Sequence, residues 1–344
     1  MTEPVGYDEF GLFHENAAEY GLPFDRPPTV RRAFAAVAGG RRLSALVWQD
    51  GDPELVLLHG GAQNAHTWDT VAMALGHPLV AIDLPGHGHS DGPGDHLTGQ
   101  LDVHGNAADV AAAVRQLAPA AKAIVGMSLG GLTAIALAAQ APGLVRKVVL
   151  VDVLPGIKEQ RARHITDFVN GPATFASLED LLERTAGFNP ARSRSSLRRG
   201  ILHNAEQQPD GSWTWRWARH RGVAAAGGSA PDARYGPLWE ELSSVSVPVL
   251  LARGMRPDSV LDDEDERELR RRLPSAQVIH VAEAGHSLQG DTPLELAAII
   301  ERFVFGPVLI QPVLIQGSVN GSGGVPGANG GGAGLSETRP CAWP

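Results

Sequence analysis

Ala123-Ile124-Val125-Gly126-Met127-Ser128-Leu129-Gly130-Gly131 is an apolar run that meets a Gly-x-Ser-x-Gly pentapeptide and passes directly into a helical pattern. A buried strand followed by a sharp turn and a helix lifts the serine hydroxyl clear of a sheet. Gly126 and Gly130 leave room for close backbone approach, and the N-terminus of the helix turns its amide groups toward developing negative charge. Ser128 is therefore a candidate nucleophile, and the rest of the chain can be read for the groups such a nucleophile needs.

Outward from this turn, short apolar runs alternate with helical patterns, as βαβ units of a largely parallel sheet do. Candidate strands are Val30–Val37, Leu43–Trp48, Glu54–His59, Leu79–Asp83, Ala121–Met127, Lys147–Asp152, Val247–Arg253 and Gln277–Val281. Several are almost wholly apolar, such as Leu55-Val56-Leu57-Leu58, which fits strands covered on both faces. Helical patterns fall at Val103–Gln116, Leu129–Gln140, Asp263–Arg272 and Pro293–Val304. From Gly156 to Leu242 the alternation stops, and helical and loop patterns rich in Arg, Ala and Leu take over. That is longer than one crossover needs, so it reads as an insertion over the sheet. Within it Trp213, Trp215 and Trp217 alternate, the period of a short extended segment, and packing against the body is the preferred reading of their rings.

A serine hydroxyl needs a neighbouring base and a place for the oxyanion. His286, in Ala284-Gly285-His286-Ser287 after the last candidate strand, is the best placed of 13 histidines. His87 and His89 read as turn-stabilising residues, and His59 as a hydrogen-bonding support. The run Leu55–Leu58 enters His59-Gly60-Gly61, a turn that offers the N–H of Gly61, or of its neighbour Ala62, beside that of Leu129 as oxyanion donors. Gln63, Asn64, His66 and Trp68, with Ala62 and with Met127 inside the pentapeptide, are candidate substrate-lining residues.

His59-Gly60-Gly61, Asp83-Leu84-Pro85-Gly86-His87-Gly88, Gly126–Gly131 and Gly285-His286, in this order, resemble the α/β-hydrolase fold superfamily over about Val30 to Phe305. The resemblance implies a mostly parallel eight-stranded sheet flanked by helices, with a helical cap inserted after the sixth strand. The division expected is an N-terminal extension (1–29), a core (30–155 and 243–305), a cap (156–242) and a Gly-rich flexible tail (306–344). The resemblance also places the triad acid after either the sixth or the seventh strand. Asp152, 24 residues after Ser128, is the preferred candidate, and Asp258, in Gly254-Met255-Arg256-Pro257-Asp258, is the alternative.

Serine at the nucleophile position implies acyl transfer and counts against the relatives of this fold that use aspartate there. The expected function is hydrolysis of a carboxylic ester, with lactones and thioesters included. The alternatives are a carbon–carbon bond hydrolase acting on ring-fission products and a ligand-binding protein that keeps the fold. The formal net charge of −9 speaks against nucleic acid as partner. No run approaches the ~18 apolar residues of a membrane span. A single cysteine, Cys341, excludes an intramolecular disulfide and suits the cytoplasm. No metal-ligand spacing, phosphate loop or dinucleotide fingerprint occurs, so no cofactor is expected.

Overall fold

The computed structural model describes residues 6–92, 102–217 and 235–306. The chain divides after Gly306, and the Gly-rich stretch beyond it lies outside the described residues.

The eight expected strands all form and join one sheet. In chain order they are β1 (Val30–Ala36), β2 (Arg42–Trp48), β3 (Leu55–Leu58), β4 (Leu79–Ile82), β5 (Ala123–Met127) and β6 (Val148–Val151). Three short strands follow, β7 (Thr174–Phe175), β8 (Ala205–Gln207) and β9 (Trp213–Trp215), before β10 (Val249–Gly254) and β11 (Gln277–Val281). The large sheet runs β1-β2-β4-β3-β5-β6-β10-β11. Only β2 opposes the rest, pairing antiparallel with β1 and β4. Every residue of β3, β4, β5 and β6 is buried, because helices cover both faces of the sheet.

One face carries α3 (Val103–Leu117) and α4 (Leu129–Gln140), and the other carries α2 (Asp69–Leu75) and the C-terminal helix Pro293–Phe305. Helix α4 buries nearly its whole circumference, from Leu129 to Ala138. Asp102 caps α3 by accepting from His104 and Gly105 N–H groups. The helix Asp263–Arg272 begins with a capping box of Asp262 and Asp265 and ends on Arg270–Arg272, each charge complementing the helix dipole. Among the described residues no helix is long and apolar enough to cross a membrane.

Two features were not expected. An N-terminal helix α1 (Phe13–Tyr20) buries Phe13 against Trp48, with ring centroids 5.1 Å apart. The stretch between β6 and β10 holds α5 (Glu159–Val169), α6 (Leu178–Phe188) and α7 (Arg194–Asn204), but also a three-stranded antiparallel sheet of β7, β9 and β8. The Trp213/Trp215 alternation marked β9 as extended, but β7 and β8, of two and three residues, are too short to leave a readable period in the sequence. Trp213, Trp215 and Trp217 are buried together with Leu181, Leu197 and Ile201 in this segment's own core. Arg199 of α7 is buried and pairs with Glu15 and Glu19, which ties the inserted segment to α1.

Candidate active site

Strand register brings the chemistry-bearing residues to one edge. Leu58 stands beside Gly126, Met127 beside Val151, and Val151 beside Ala252. The residues that leave β3, β5, β6, β10 and β11 at their carboxyl ends are therefore neighbours, the place where parallel α/β sheets bind ligands.

Ser128 occupies the turn between β5 and α4 with φ 50° and ψ −119°, a conformation that non-glycine residues rarely adopt. The turn is tight enough that a Cβ on Gly126 would stand 2.4 Å from Gly130 O, and one on Gly130 would stand 2.3 Å from Leu58 O. Both glycines are thus required by backbone contact. Leu129 opens α4, where N–H groups lack an intrahelical acceptor.

His286 follows β11, and its Nδ1 lies 3.0 Å from Asp152 Oδ2. Asp152, wholly buried, leaves β6 with φ 46°. Its other bonds come from Gly254 N–H (3.0 Å), Ser259 Oγ (2.7 Å) and Val260 N–H (3.1 Å). A carboxylate receiving this many donors is held in one orientation. Asp258 is differently engaged: its side chain is 48% exposed and bidentate to Arg256 at 3.2 and 3.0 Å. Of the two sequence candidates, only Asp152 is hydrogen-bonded to His286.

The turn Gly60–Gln63 is held from several sides. His59 accepts Leu84 N–H on Nε2 at 2.9 Å, so its Nδ1–H donates to Gly60 O at 2.7 Å. Burial pushes the His59 imidazole below its ordinary pKa, which keeps this neutral tautomer. Gln63 Oε1 accepts Gly60 N–H at 3.1 Å. Ala62 N–H donates to His87 Nε2 at 3.1 Å, while His87 Nδ1 faces Pro85 O at 3.0 Å. The Ala62 N–H is therefore committed, which leaves Gly61 as the oxyanion candidate of this turn. Asp83 supports the same region. Burial would raise its pKa, but Arg32 and the N–H groups of Ala65 and His89 hold it below the usual carboxylate range.

Ser128, His286, Gly61, Leu129, Ala62, Gln63 and Met127 all line one cavity of about 1210 Å³. Asn64, His66 and His87 line it as well. Trp68 does not. It ends the 3₁₀ turn Ala65–Trp68 pointing inward, fully buried with Val71, Leu55 and Leu57 in the core, so its place among substrate-lining residues is corrected. Trp215 and Trp217 reach the cavity wall from the inserted segment, so their rings serve both packing and lining. Sequence reasoning missed the lining residues Asn204, Gln289, Tyr20 and Asn16, which arrive from elements distant in the chain.

Deeper in the wall, His66 Nδ1 faces Asp69 at 2.9 Å and Nε2 faces Glu9 at 3.1 Å. Burial would lower the His66 pKa, but the two carboxylates raise it to about 9. His203 stacks on this ring at 3.8 Å and 10°, and burial beside a cation pushes its own pKa far down. Tyr7 OH lies 2.7 Å from His203 Nδ1. Ligand atoms of His66, Asp69 and His203 come within 4.8 Å of one another. With both nitrogens of His66 directed at carboxylates, that ring has no lone pair left to offer an ion.

A parallel sheet with a serine on the strand-to-helix turn, and a histidine–carboxylate pair at the same edge, defines a class of protein, and comparison with known proteins agrees. The alpha/beta hydrolase fold family matches residues 53–293, and the chain belongs to it. It is 40% identical to the esterase Rv0045c of Mycobacterium tuberculosis over 305 residues, covering 87% of this chain and 96% of that protein. A crystal structure of that esterase superposes with a TM-score of 0.72 at 39% identity, over 88% of this chain and 99% of the other. A pimeloyl-[acyl-carrier protein] methyl ester esterase of Pectobacterium atrosepticum is 28% identical, over 71% of this chain and 92% of its own length.

Proposed function

We propose that this chain is a serine hydrolase that cleaves a small or medium carboxylic ester through an acyl-enzyme on Ser128. The observation that carries the reading is the 3.0 Å contact of His286 Nδ1 with buried Asp152, at the sheet edge where Ser128 stands in a strained turn. The esterase names of its relatives support the reaction class.

In this reading Asp152 holds the tautomer of His286 that carries its hydrogen on Nδ1, so Nε2 is free to take the Ser128 proton. Ser128 Oγ attacks the ester carbonyl, and the oxyanion that forms accepts hydrogen bonds from the Gly61 and Leu129 N–H groups. His286 then protonates the leaving alcohol, and the acyl-enzyme is hydrolysed by a water that His286 deprotonates in turn. Residues 156–242 act as the cap, with Trp215 and Trp217 bounding the pocket and Ala62, Gln63 and Met127 beside the reacting carbonyl.

The test is a chain-length panel of p-nitrophenyl esters together with a fluorophosphonate probe. Turnover of short acyl chains and labelling of one serine are expected. Ser128→Ala should abolish labelling and lower kcat on the order of 10⁶-fold. A folded, unsubstituted sample that neither labels nor turns over any ester would refute the proposal.

A further inference from the structure

Ala62 holds a conformation that its own side chain opposes. Gln63 N–H closes on Gly60 O at 3.3 Å, which makes a four-residue turn with Ala62 third and φ 61°. This left-handed position in a turn normally goes to glycine, since a Cβ there crowds the following carbonyl. For an alanine it is strained, and it persists only where neighbours hold the residue.

Two neighbours do so. His87 Nε2 takes the Ala62 N–H, and Asn204 Nδ2 donates to Ala62 O at 2.7 Å. His87 belongs to the sheet body. Asn204 is the last residue of α7, in the inserted segment, and the reaction described above assigns it no part. Its Oδ1 also accepts from Asn64 Nδ2 at 3.2 Å, and that same amide reaches His203 O at 3.1 Å. One side chain of the inserted segment thus grips the turn at Ala62 and again two residues further on. Donor and acceptor are both needed, so aspartate, leucine and alanine each lose the bond to Ala62 O.

We propose that Asn204 is a positioning residue. By holding Ala62 left-handed it sets the direction of the adjacent Gly61 N–H, and so links the seating of the inserted segment to the competence of the oxyanion pocket. The inference rests on the reading of Gly61 as an oxyanion donor.

The experiment measures kcat and KM on p-nitrophenyl acetate and butyrate for Asn204→Ala and Asn204→Asp, each alone and in an Ala62→Gly background, with fluorophosphonate labelling and thermal melts for every variant. Removing a whole oxyanion donor costs about 10²–10³ in kcat, so displacing one should cost about 10–100-fold, with KM changed less than about threefold. Glycine adopts the left-handed conformation unaided. In the Ala62→Gly background, therefore, the same Asn204 substitutions should cost less than about threefold relative to Ala62→Gly itself. Should Asn204→Ala fail to fold, the isosteric Asn204→Asp carries the comparison. A rise in KM at constant kcat would mean that Asn204 touches substrate, and an equal loss in both backgrounds would mean that it does not act through Ala62. Either result overturns the proposal. Full kcat in labelled Asn204→Ala overturns it alone, whereas absence of labelling and turnover in the unsubstituted chain overturns the esterase reading and this inference with it.

Discussion

Replacing Asp152 by asparagine alters one atom of a side chain whose two oxygens meet four donors, so its effect can be followed bond by bond. Oδ1 accepts from Gly254 N–H and Ser259 Oγ, and Oδ2 accepts from Val260 N–H and faces His286 Nδ1. Asparagine offers one oxygen and one NH₂ group. With the oxygen toward Gly254, the NH₂ meets Val260 N–H and His286, and the imidazole can only stay bonded by accepting on Nδ1. Its hydrogen then sits on Nε2, where it blocks the Ser128 proton. With the oxygen toward His286, the NH₂ confronts Gly254 N–H while the Ser259 hydroxyl turns to accept. Either way a buried backbone donor loses its acceptor, at about 1–3 kcal/mol of stability. The negative charge behind the imidazolium is lost as well. Together these predict a kcat loss of about 10³–10⁴, equivalent to roughly 4–5.5 kcal/mol of barrier. Steady-state hydrolysis of p-nitrophenyl butyrate, with a thermal melt to establish folding, measures both quantities. Asp258→Asn is the comparison. Asp258 is half exposed and, among the described residues, paired with Arg256, so its loss should change kcat less than about threefold. A folded Asp152→Asn enzyme within tenfold of the parent, or a loss concentrated in Asp258→Asn, would refute the reasoning.

Two further outcomes follow from the geometry. His66 titrates at about 9 in the folded chain, above its ordinary 6.5, so it binds its proton more tightly folded than unfolded. Its contribution to stability is complete below about pH 6.5 and is lost as pH rises through 9. Melting temperature should fall across that window, and His66→Gln should show a smaller fall; equal slopes for the two would sink the idea. Gly130→Ala would set a Cβ 2.3 Å from Leu58 O and 2.7 Å from His59 O, both backbone atoms. Overpacking of this kind costs about 1–3 kcal/mol, and since Leu129 N–H lies next to it, kcat should fall further than the melting shift explains. A variant with parental melting temperature and kcat would show that the elbow has slack.

The central strands were legible because burial on both faces leaves no polar alternation to interpret. Leu55–Leu58 is four apolar residues in the sequence and four wholly buried ones in the fold. The acid was legible only as a pair. Asp152 and Asp258 both follow strands, and linear order says nothing about which carboxylate a local arginine captures. In space the loop after β10 decides it. Arg256 takes Asp258 two residues away, while Ser259 and Val260 of the same loop reach back to Asp152. One loop thus removes one candidate and orients the other.

Trp68 and Asn204 illustrate a different limit. Trp68 follows the oxyanion turn in sequence, and position alone suggested that it lines the pocket. The cap of Asn64 on His66 N–H starts a 3₁₀ turn there, and that turn rotates the indole into the core. Asn204, read locally, is only the last residue of α7. Its second use depends on Ala62, 142 residues away, having the backbone shape that needs a donor. The residue with φ 61° in the turn is itself an alanine, so the sequence gives no glycine to mark the strain. A contact that compensates strain is therefore invisible at both of its ends until the chain is folded, and the positive φ is the observation that exposes it.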